Sequence, residues 1–314
     1  MHFGPLSSPA LPRLGRRLAA AIALAALAAP LGGSFARAET REDGAPAETL
    51  GLGDNVRASV WGPAALFFNP AGMSRARTFL VEAGYSYLEG REGHAFSAAA
   101  VDALTNPYAA MGVAYTYITG TPLGLDRDGH QFRGALSTGW TTPDVSLLAG
   151  VGARYLDLTL GADDGDSAEA NDVDAWTLDI GLMLELAQRV RFGVVGANLV
   201  DTQSAEAPRA LGLGLAFLFE SLEVSADLDV DLTDASAGDI SRYGFGAQYT
   251  IARAFQARLG AVFDPDRDAP RLTAGFGYAA PEFAFDLGYA TALEGETDML
   301  FSLSFRYTPP VRQR

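Results

Sequence analysis

From Thr78 to Tyr307 hydrophobic and polar positions alternate residue by residue along most of the chain. TFLVEAGYSY sets Phe79, Val81, Ala83, Tyr85 and Tyr87 on one face against Glu82, Gly84 and Ser86 on the other. AWTLDIGLMLEL does the same with Trp176, Leu178, Ile180 and Leu182 opposite Thr177, Asp179, Gly181 and Glu185, and LEVSADLDVDL turns Leu222, Val224 and Leu228 away from Glu223, Asp227, Asp229 and Asp231. A period of two sustained over eight or more residues, with glycine-rich polar faces, predicts strands and excludes helices. The pattern places them near 78–88, 94–101, 108–118, 130–140, 145–159, 175–187, 190–199, 209–220, 222–232, 242–251, 254–264, 270–279, 282–291 and 298–307.

Fourteen segments of about ten residues have the length that tilted strands need to cross a hydrocarbon core, about twice the usual globular strand. Their connections alternate. Thr141 to Asp144, Gln188-Arg189, Ala252-Arg253 and Ala280-Pro281 are short, whereas Thr119–Gly129, Gly161–Asp174, Val200–Pro208 and Thr233–Ile240 are long. Short turns at one end and long loops at the other are the signature of outer-membrane barrels. A soluble sandwich would also alternate, but its polar face would carry many charges of both signs. Here that face is mostly Gly, Ala, Ser and Thr, Lys is absent, and aromatic residues such as Tyr85, Tyr115, Trp140, Trp176, Tyr249 and Tyr307 recur near strand ends. The expected fold is an all-β transmembrane barrel with the apolar face outward.

Composition narrows the setting. Arg13, Arg16 and Arg17 precede the apolar run Leu18–Ala29, and Ala36-Arg37-Ala38 offers a small-x-small cleavage site, the layout of a secretory signal peptide over residues 1–38. Twelve apolar residues are too few to span a bilayer as a helix. Cleavage after Ala38 would leave 276 of 314 residues and, by removing four arginines and no acid, take the formal charge from −15 to −19. Such an acidic surface repels phosphate backbones, so nucleic acid is not an expected partner. With no Cys there is no disulfide framework or thiolate site.

One stretch breaks the pattern. In AALFFNPAGMSRA an apolar run stops at Asn69-Pro70-Ala71-Gly72: Pro70 fixes φ and lacks an N–H, and it pushes Asn69 out of the helical region. The residues ahead of the first strand include Val56, Val60, Trp61, Leu66, Phe67 and Phe68, too apolar to hang in water, and the lumen of so wide a barrel has room for them. Residues 39–77 are therefore expected to form a plug, with a barrel over 78–307 and a tail over 308–314.

GLGDNVRASVWGPAALFFNPAGMSRA resembles the N-terminal signature of the FadL superfamily of outer-membrane proteins, which includes long-chain fatty-acid transporters and the PorV/PorQ branch tied to protein secretion. RFGVVGANLVD, VSADLDVD, YGFGAQYTIARAFQARLGAVF and FDLGYATALEGETDMLFSLSFRY continue the likeness in the PorV/PorQ order. The resemblance implies a hatch that closes a fourteen-stranded barrel, with its Asn-Pro-Ala motif at Asn69, Pro70 and Ala71. It also implies either passive uptake or lateral release of a small hydrophobic molecule, or a non-transport role as a docking partner for secretion machinery. The chain departs from the long-chain transporters in being shorter, and its last strand is followed by TPPVRQR.

The remaining chemistry is sparse. Strand 9 would project Glu223, Asp227, Asp229 and Asp231 into the lumen, with Asp179, Glu185 and Asp286 from strands 6 and 13, and Arg154, Arg242, Arg258, Arg271 and Arg306 able to pair with them. Such a network braces a wall and plug, or lines a path that favours cations and disfavours free carboxylates. His94 has Ser97 nearby in sequence, but there is no nucleophile-elbow motif, so His94 and His130 read as rim histidines and no catalytic activity is expected. The acidic loop carrying Asp163, Asp164, Asp166, Glu169, Asp172 and Asp174 lacks EF-hand spacing and reads as a solvated loop before a calcium site. GLGLG at Gly212 and Gly214 lies in a strand and is no dinucleotide loop, and no cofactor is called for.

Overall fold

The computed structural model describes residues 44–89, 93–120, 125–162, 172–204, 206–233, 240–264, 270–293 and 299–310. The signal segment expected over 1–38 and most of the acidic loop lie outside these residues. Fourteen strands follow in chain order: β1 (Phe79–Leu88), β2 (Gly93–Asp102), β3 (Ala110–Gly120), β4 (Leu125–Thr141), β5 (Val145–Ala162), β6 (Val173–Leu186) and β7 (Val190–Ala197). They continue with β8 (Ala210–Leu218), β9 (Leu222–Asp231), β10 (Ile240–Ile251), β11 (Phe255–Phe263), β12 (Arg271–Ala279), β13 (Phe283–Ala292) and β14 (Met299–Tyr307). Each pairs antiparallel with its sequence neighbours, and β14 closes on β1 with Arg306 opposite Glu82, so the sheet has no edge. These are the fourteen strands expected from the alternation.

The faces sort as the pattern requires. Phe96, Val113, Leu136, Trp176 and Ile180 stand exposed outside, whereas Glu82, Gln131, Arg154, Thr177 and Asp227 are buried inside. Large exposed apolar side chains all round a closed sheet make this a membrane-spanning surface. Two connections differ from expectation. In the span placed as a loop at Thr119–Gly129 the described residues are strand, with Gly120 of β3 opposite Arg127 of β4. At the ends of Gly161–Asp174 strand takes Gly161-Ala162 and Val173-Asp174, with Leu125 of β4 opposite Ala162. The β3–β6 side of the wall therefore rises well above the rest. At the opposite end two hairpins turn through consecutive left-handed residues, Ala187-Gln188 (φ 49° and 55°) and Ala252-Arg253 (φ 50° and 61°), the backbone that tight hairpins need.

Before β1 the chain runs through the lumen. It forms the single turns α1 (Ala47–Leu50) and α2 (Ala65–Phe68), a 3₁₀ turn at Gly62–Ala64 and a 3₁₀ helix over Pro70–Arg75. The path circles the inner wall: Gly51 lies on Gly275 of β12, Leu52 on Gly260 of β11, and Asn55 on Gly244 of β10. Arg57 then meets Gly193 of β7 and Gly212 of β8, and after Trp61 and Gly62 pass β14 and β1 the chain closes the circuit across β3–β6. Those wall glycines leave room for backbone. A Cβ at Gly181 would stand 2.1 Å from Asn69 Oδ1, one at Gly193 would be 2.2 Å from Arg57 O, and one at Gly150 would be 2.5 Å from Ala71 N. The apolar side of the segment packs Leu66, Phe67, Phe68 and Met73 against Val101, Leu148 and Met183 of the wall.

This seat is testable by filling it. Gly181→Val should leave barrel assembly intact, read by heat-modifiable gel mobility, while making residues 44–77 cleavable by added protease. Gly134→Val faces open space and should change neither reading. Equal protease resistance in Gly181→Val would refute the seat.

Candidate functional site

The breaker that ends the apolar run is a junction between segment and wall. Asn69, in extended conformation, accepts from Ala71 N through Oδ1 at 3.2 Å and so caps the 3₁₀ helix that Pro70 starts. Its Nδ2 donates to Arg57 O at 2.9 Å and to Leu182 O of β6 at 3.2 Å. One amide thus ties the 3₁₀ helix, the earlier part of the segment and the wall. Ala71 is fully buried, and Gly72 packs where a Cβ would be 2.5 Å from Val60 O.

The lumen charges fall into three groups, two of which pair with a charged residue of the segment. In the first, Arg57 Nη1 lies 3.1 Å from Asp227 Oδ2 and Nη2 lies 3.0 Å from Asp229 Oδ1, while its backbone N–H donates to Asp227 at 3.0 Å. Arg242 joins Asp229 at 3.3 Å and donates to Gly53 O. In the second, Glu48 of α1 accepts from Arg306 at 3.2 Å, Arg306 stands over the Trp61 ring, and Arg258 pairs with Asp286 at 2.6 Å. In the third, Arg191 of β7 pairs with Glu185 and, at 3.4 Å, with Glu223. Arg75 at the end of the 3₁₀ helix donates to Ser59 O, and burial followed by the charge of Arg191 lowers its pKa to about 10, so it remains cationic at neutral pH.

Of the residues singled out in the sequence, Asp227, Asp229, Glu185, Glu223 and Arg258 belong to these groups. Asp179 instead accepts from Asn198 N at 2.7 Å and holds the loop after β7, Asp231 accepts from Thr233, and Arg154 donates to Gln131 Oε1 at 2.7 Å. Sequence reasoning missed Glu48, Arg57 and Arg75, the segment's own contributions, and Arg191. The signal was present, since charges inside a run otherwise apolar enough to be buried require partners.

Above the segment the inner wall turns apolar. Ile118 of β3, Leu156 and Leu158 of β5 and Val173 of β6 form a buried cluster with Ala207, which comes from the β7–β8 connection folded into the barrel mouth. That connection is pinned by the Arg127–Glu206 ion pair, by Thr177 Oγ1 donating to Val200 O at 2.9 Å, and by Asn198 Nδ2 donating to Pro208 O at 3.0 Å. It also covers the upper edge of β6, whose pairing with β7 spans only Ile180–Leu186. Below the segment, at the short-turn end, a polar cavity of about 290 Å³ is lined by Arg75, Thr141, Ser146, Glu185, Gln188 and Arg191, with Leu148 and Met183 as its apolar part.

His94 and Ser97 point to opposite faces of β2, so the two form no nucleophile–base pair. Among the described residues no group of three or more His, Cys, Asp and Glu is placed to hold a metal ion.

No protein-family model matches the chain, and no curated protein matches it. Solved structures do. The toluene transporter TbuX of Ralstonia pickettii superposes with a TM-score of 0.59 at 15% identity, over 86% of this chain and 100% of that one. A ΔS2S3 mutant of the monoaromatic hydrocarbon channel TodX gives 0.58 at 14% identity, over 86% and 99%. At this identity the likeness is one of fold.

Removing the Arg57 side chain leaves Asp227 without its ion-pair partner and Asp229 with Arg242 alone, and breaking a buried pair costs about 3–5 kcal/mol. Arg57→Met should therefore free the segment to proteolysis while the barrel persists. Arg57→Met/Asp227→Asn/Asp229→Asn should recover most of that resistance. Failure of the triple variant to recover would mean that shape, and not charge, holds this part of the segment.

Proposed function

We propose that this chain is an outer-membrane barrel that passes a small hydrophobic molecule without an energy source, gated by its N-terminal segment. The observation that carries the reading is the apolar cluster on the inner wall at the mouth, Ile118, Leu156, Leu158 and Val173, where a channel for polar solutes would present polar groups. A molecule entering there displaces the β7–β8 connection that covers this cluster, next meets Phe67, Asn69–Gly72 and Met73, and on their displacement reaches the polar cavity beside Arg75. The toluene transporter and the monoaromatic hydrocarbon channel that share the fold support a small apolar substrate. Membership of the FadL superfamily, on the residues around Asn69-Pro70-Ala71, belongs to this same proposal, as does export through a cleaved segment over 1–38.

The gate is the 3₁₀ helix. Asn69 ties it by side-chain hydrogen bonds, each worth about 0.5–1.5 kcal/mol, so a displacement that breaks them lies within reach of thermal motion and ligand binding. A rival reading, a barrel of the PorV/PorQ kind that docks secretion machinery, is favoured by the completeness of the segment's circuit around the wall, which gives a static core. Under that reading the wall serves as a scaffold and the relevant surface faces periplasmic or cell-surface proteins.

The deciding measurement is conductance in planar bilayers together with uptake of radiolabelled toluene by vesicles. Deleting residues 39–77 should convert a quiet barrel into an open one. Asn69→Ala/Pro70→Ala should raise leak with assembly unchanged, and Leu158→Asn should lower toluene uptake roughly tenfold, as a polar group set in the apolar path would do. Silence of both the intact and the deleted barrel, with folding verified by gel mobility, would overturn the channel reading in favour of docking.

A further inference from the structure

Two parts of the outer wall repeat one arrangement. His94 of β2 faces Tyr87 of β1 directly across the ladder, ring centroids 5.1 Å apart, and its Nδ1 lies 2.8 Å from the hydroxyl of Tyr85 on the diagonal. His130 of β4 faces Tyr117 of β3 at 5.3 Å, and its Nδ1 lies 2.8 Å from the hydroxyl of Tyr115. Both imidazoles point outward, because their neighbours Ala95 and Gln131 are buried on the lumen side.

Their depth in the membrane can be read from the wall itself. Up the outer face of β4 the side chains run Leu136, Phe132, His130, Asp128, and up β6 they run Leu178, Trp176, Asp174. Apolar gives way to aromatic and then to charged, so the histidines stand in the row where hydrocarbon meets headgroups. They are also the only basic side chains on the outer face of β1–β6 among the described residues, since Arg133 and Arg154 are buried inside.

The two copies differ on their other side. Across the next ladder His130 meets the carboxylate of Asp157 on β5, which is itself opposite Asp174. His94 meets the hydroxyl-bearing Thr119 on β3. Tyr85 and His94 Nδ1 share one hydrogen bond; assigning the phenol as its donor puts the ring proton of His94 on Nε2, directed away from Tyr85 toward the headgroup layer. The carboxylates of Asp157 and Asp174 beside His130 repel an anion. Among the described residues none stands directly opposite His94, and the nearest on that side, Asp128, lies one strand further on, opposite Thr119 and bound by the Tyr117 hydroxyl.

The geometry points to His94, with the hydroxyl of Tyr87, as a docking point for the phosphate of a membrane-lipid headgroup, and to His130 as a copy disabled by Asp157. The inference rests on the barrel being embedded in a bilayer and not on what passes through it. A lipid fits better than free phosphate. The exposed apolar side chains below, Phe96 and Val113 among them, hold acyl chains against the wall and keep the headgroup at the row of His94.

The test is native mass spectrometry of the detergent-solubilised barrel, counting bound phosphatidic acid against phosphatidylcholine, with folding checked by heat-modifiable mobility. The intact chain should prefer phosphatidic acid. His94→Leu should lower that preference roughly tenfold, the worth of a hydrogen bond to a charged group, and His130→Leu should not. Tyr85→Phe, which keeps the ring but releases its tautomer, should lower it too, and serves alone if His94→Leu does not fold. Millimolar inorganic phosphate should leave the lipid in place. Unchanged binding in the His94 and Tyr85 variants, an equal loss in His130→Leu, or displacement by inorganic phosphate would each overturn the assignment.

Discussion

A closed sheet of fourteen strands encloses more space than its own inward side chains can fill, and the rest of this structure follows from how that space is used. The chain fills it with its own backbone. Backbone brings unsatisfied N–H and C=O groups into a buried place, so it must lie close to partners, and close approach to a sheet requires wall positions without a Cβ. Gly150, Gly193, Gly260 and Gly275 are those positions, Gly181 makes the same room for the Asn69 side chain, and a methyl group on any of them would collide with the segment. The glycine-rich polar face of the strands is therefore a mould for the thirty or so residues before β1.

Charge sets the register of that fit. Glu48 and Arg57 reach different wall groups, so the segment cannot slide without stranding both buried charges. Buried ion pairs contribute little net stability, because desolvation offsets attraction, but breaking one is costly. A segment held in this way is specified more than it is strengthened. The polar end below and the apolar mouth above give the lumen two unlike surfaces, separated by a segment whose anchoring bonds at Asn69 are few and individually weak.

The alternation alone located all fourteen strands to within a few residues, because a strand with hydrocarbon on one side and a lumen on the other has no other way to arrange its side chains. It erred where that constraint lapses. At the upper end of β4 the run LDRDG over 125–129 has no clean alternation and reads as loop, although its pairing with β3 and β5 continues. Asp179 and Asp231 were legible as lumen-facing but not as holders of loops, since Asp179 takes the backbone N–H of Asn198, which leaves no mark in the sequence, and Asp231 takes both the N–H and the hydroxyl of Thr233.

Sequence by itself determined the class of fold, the direction each strand faces and the break at Asn69-Pro70, all of which are local consequences of side-chain polarity and of backbone freedom at Pro and Gly. Only the tertiary structure decided that Arg57 meets Asp227, that Gly181 lies under Asn69, and that Ala207 closes over Leu156 and Leu158. Those contacts join residues up to 170 positions apart in the chain. They depend on the closure of the sheet and on the path of the segment within it, and no local pattern encodes either.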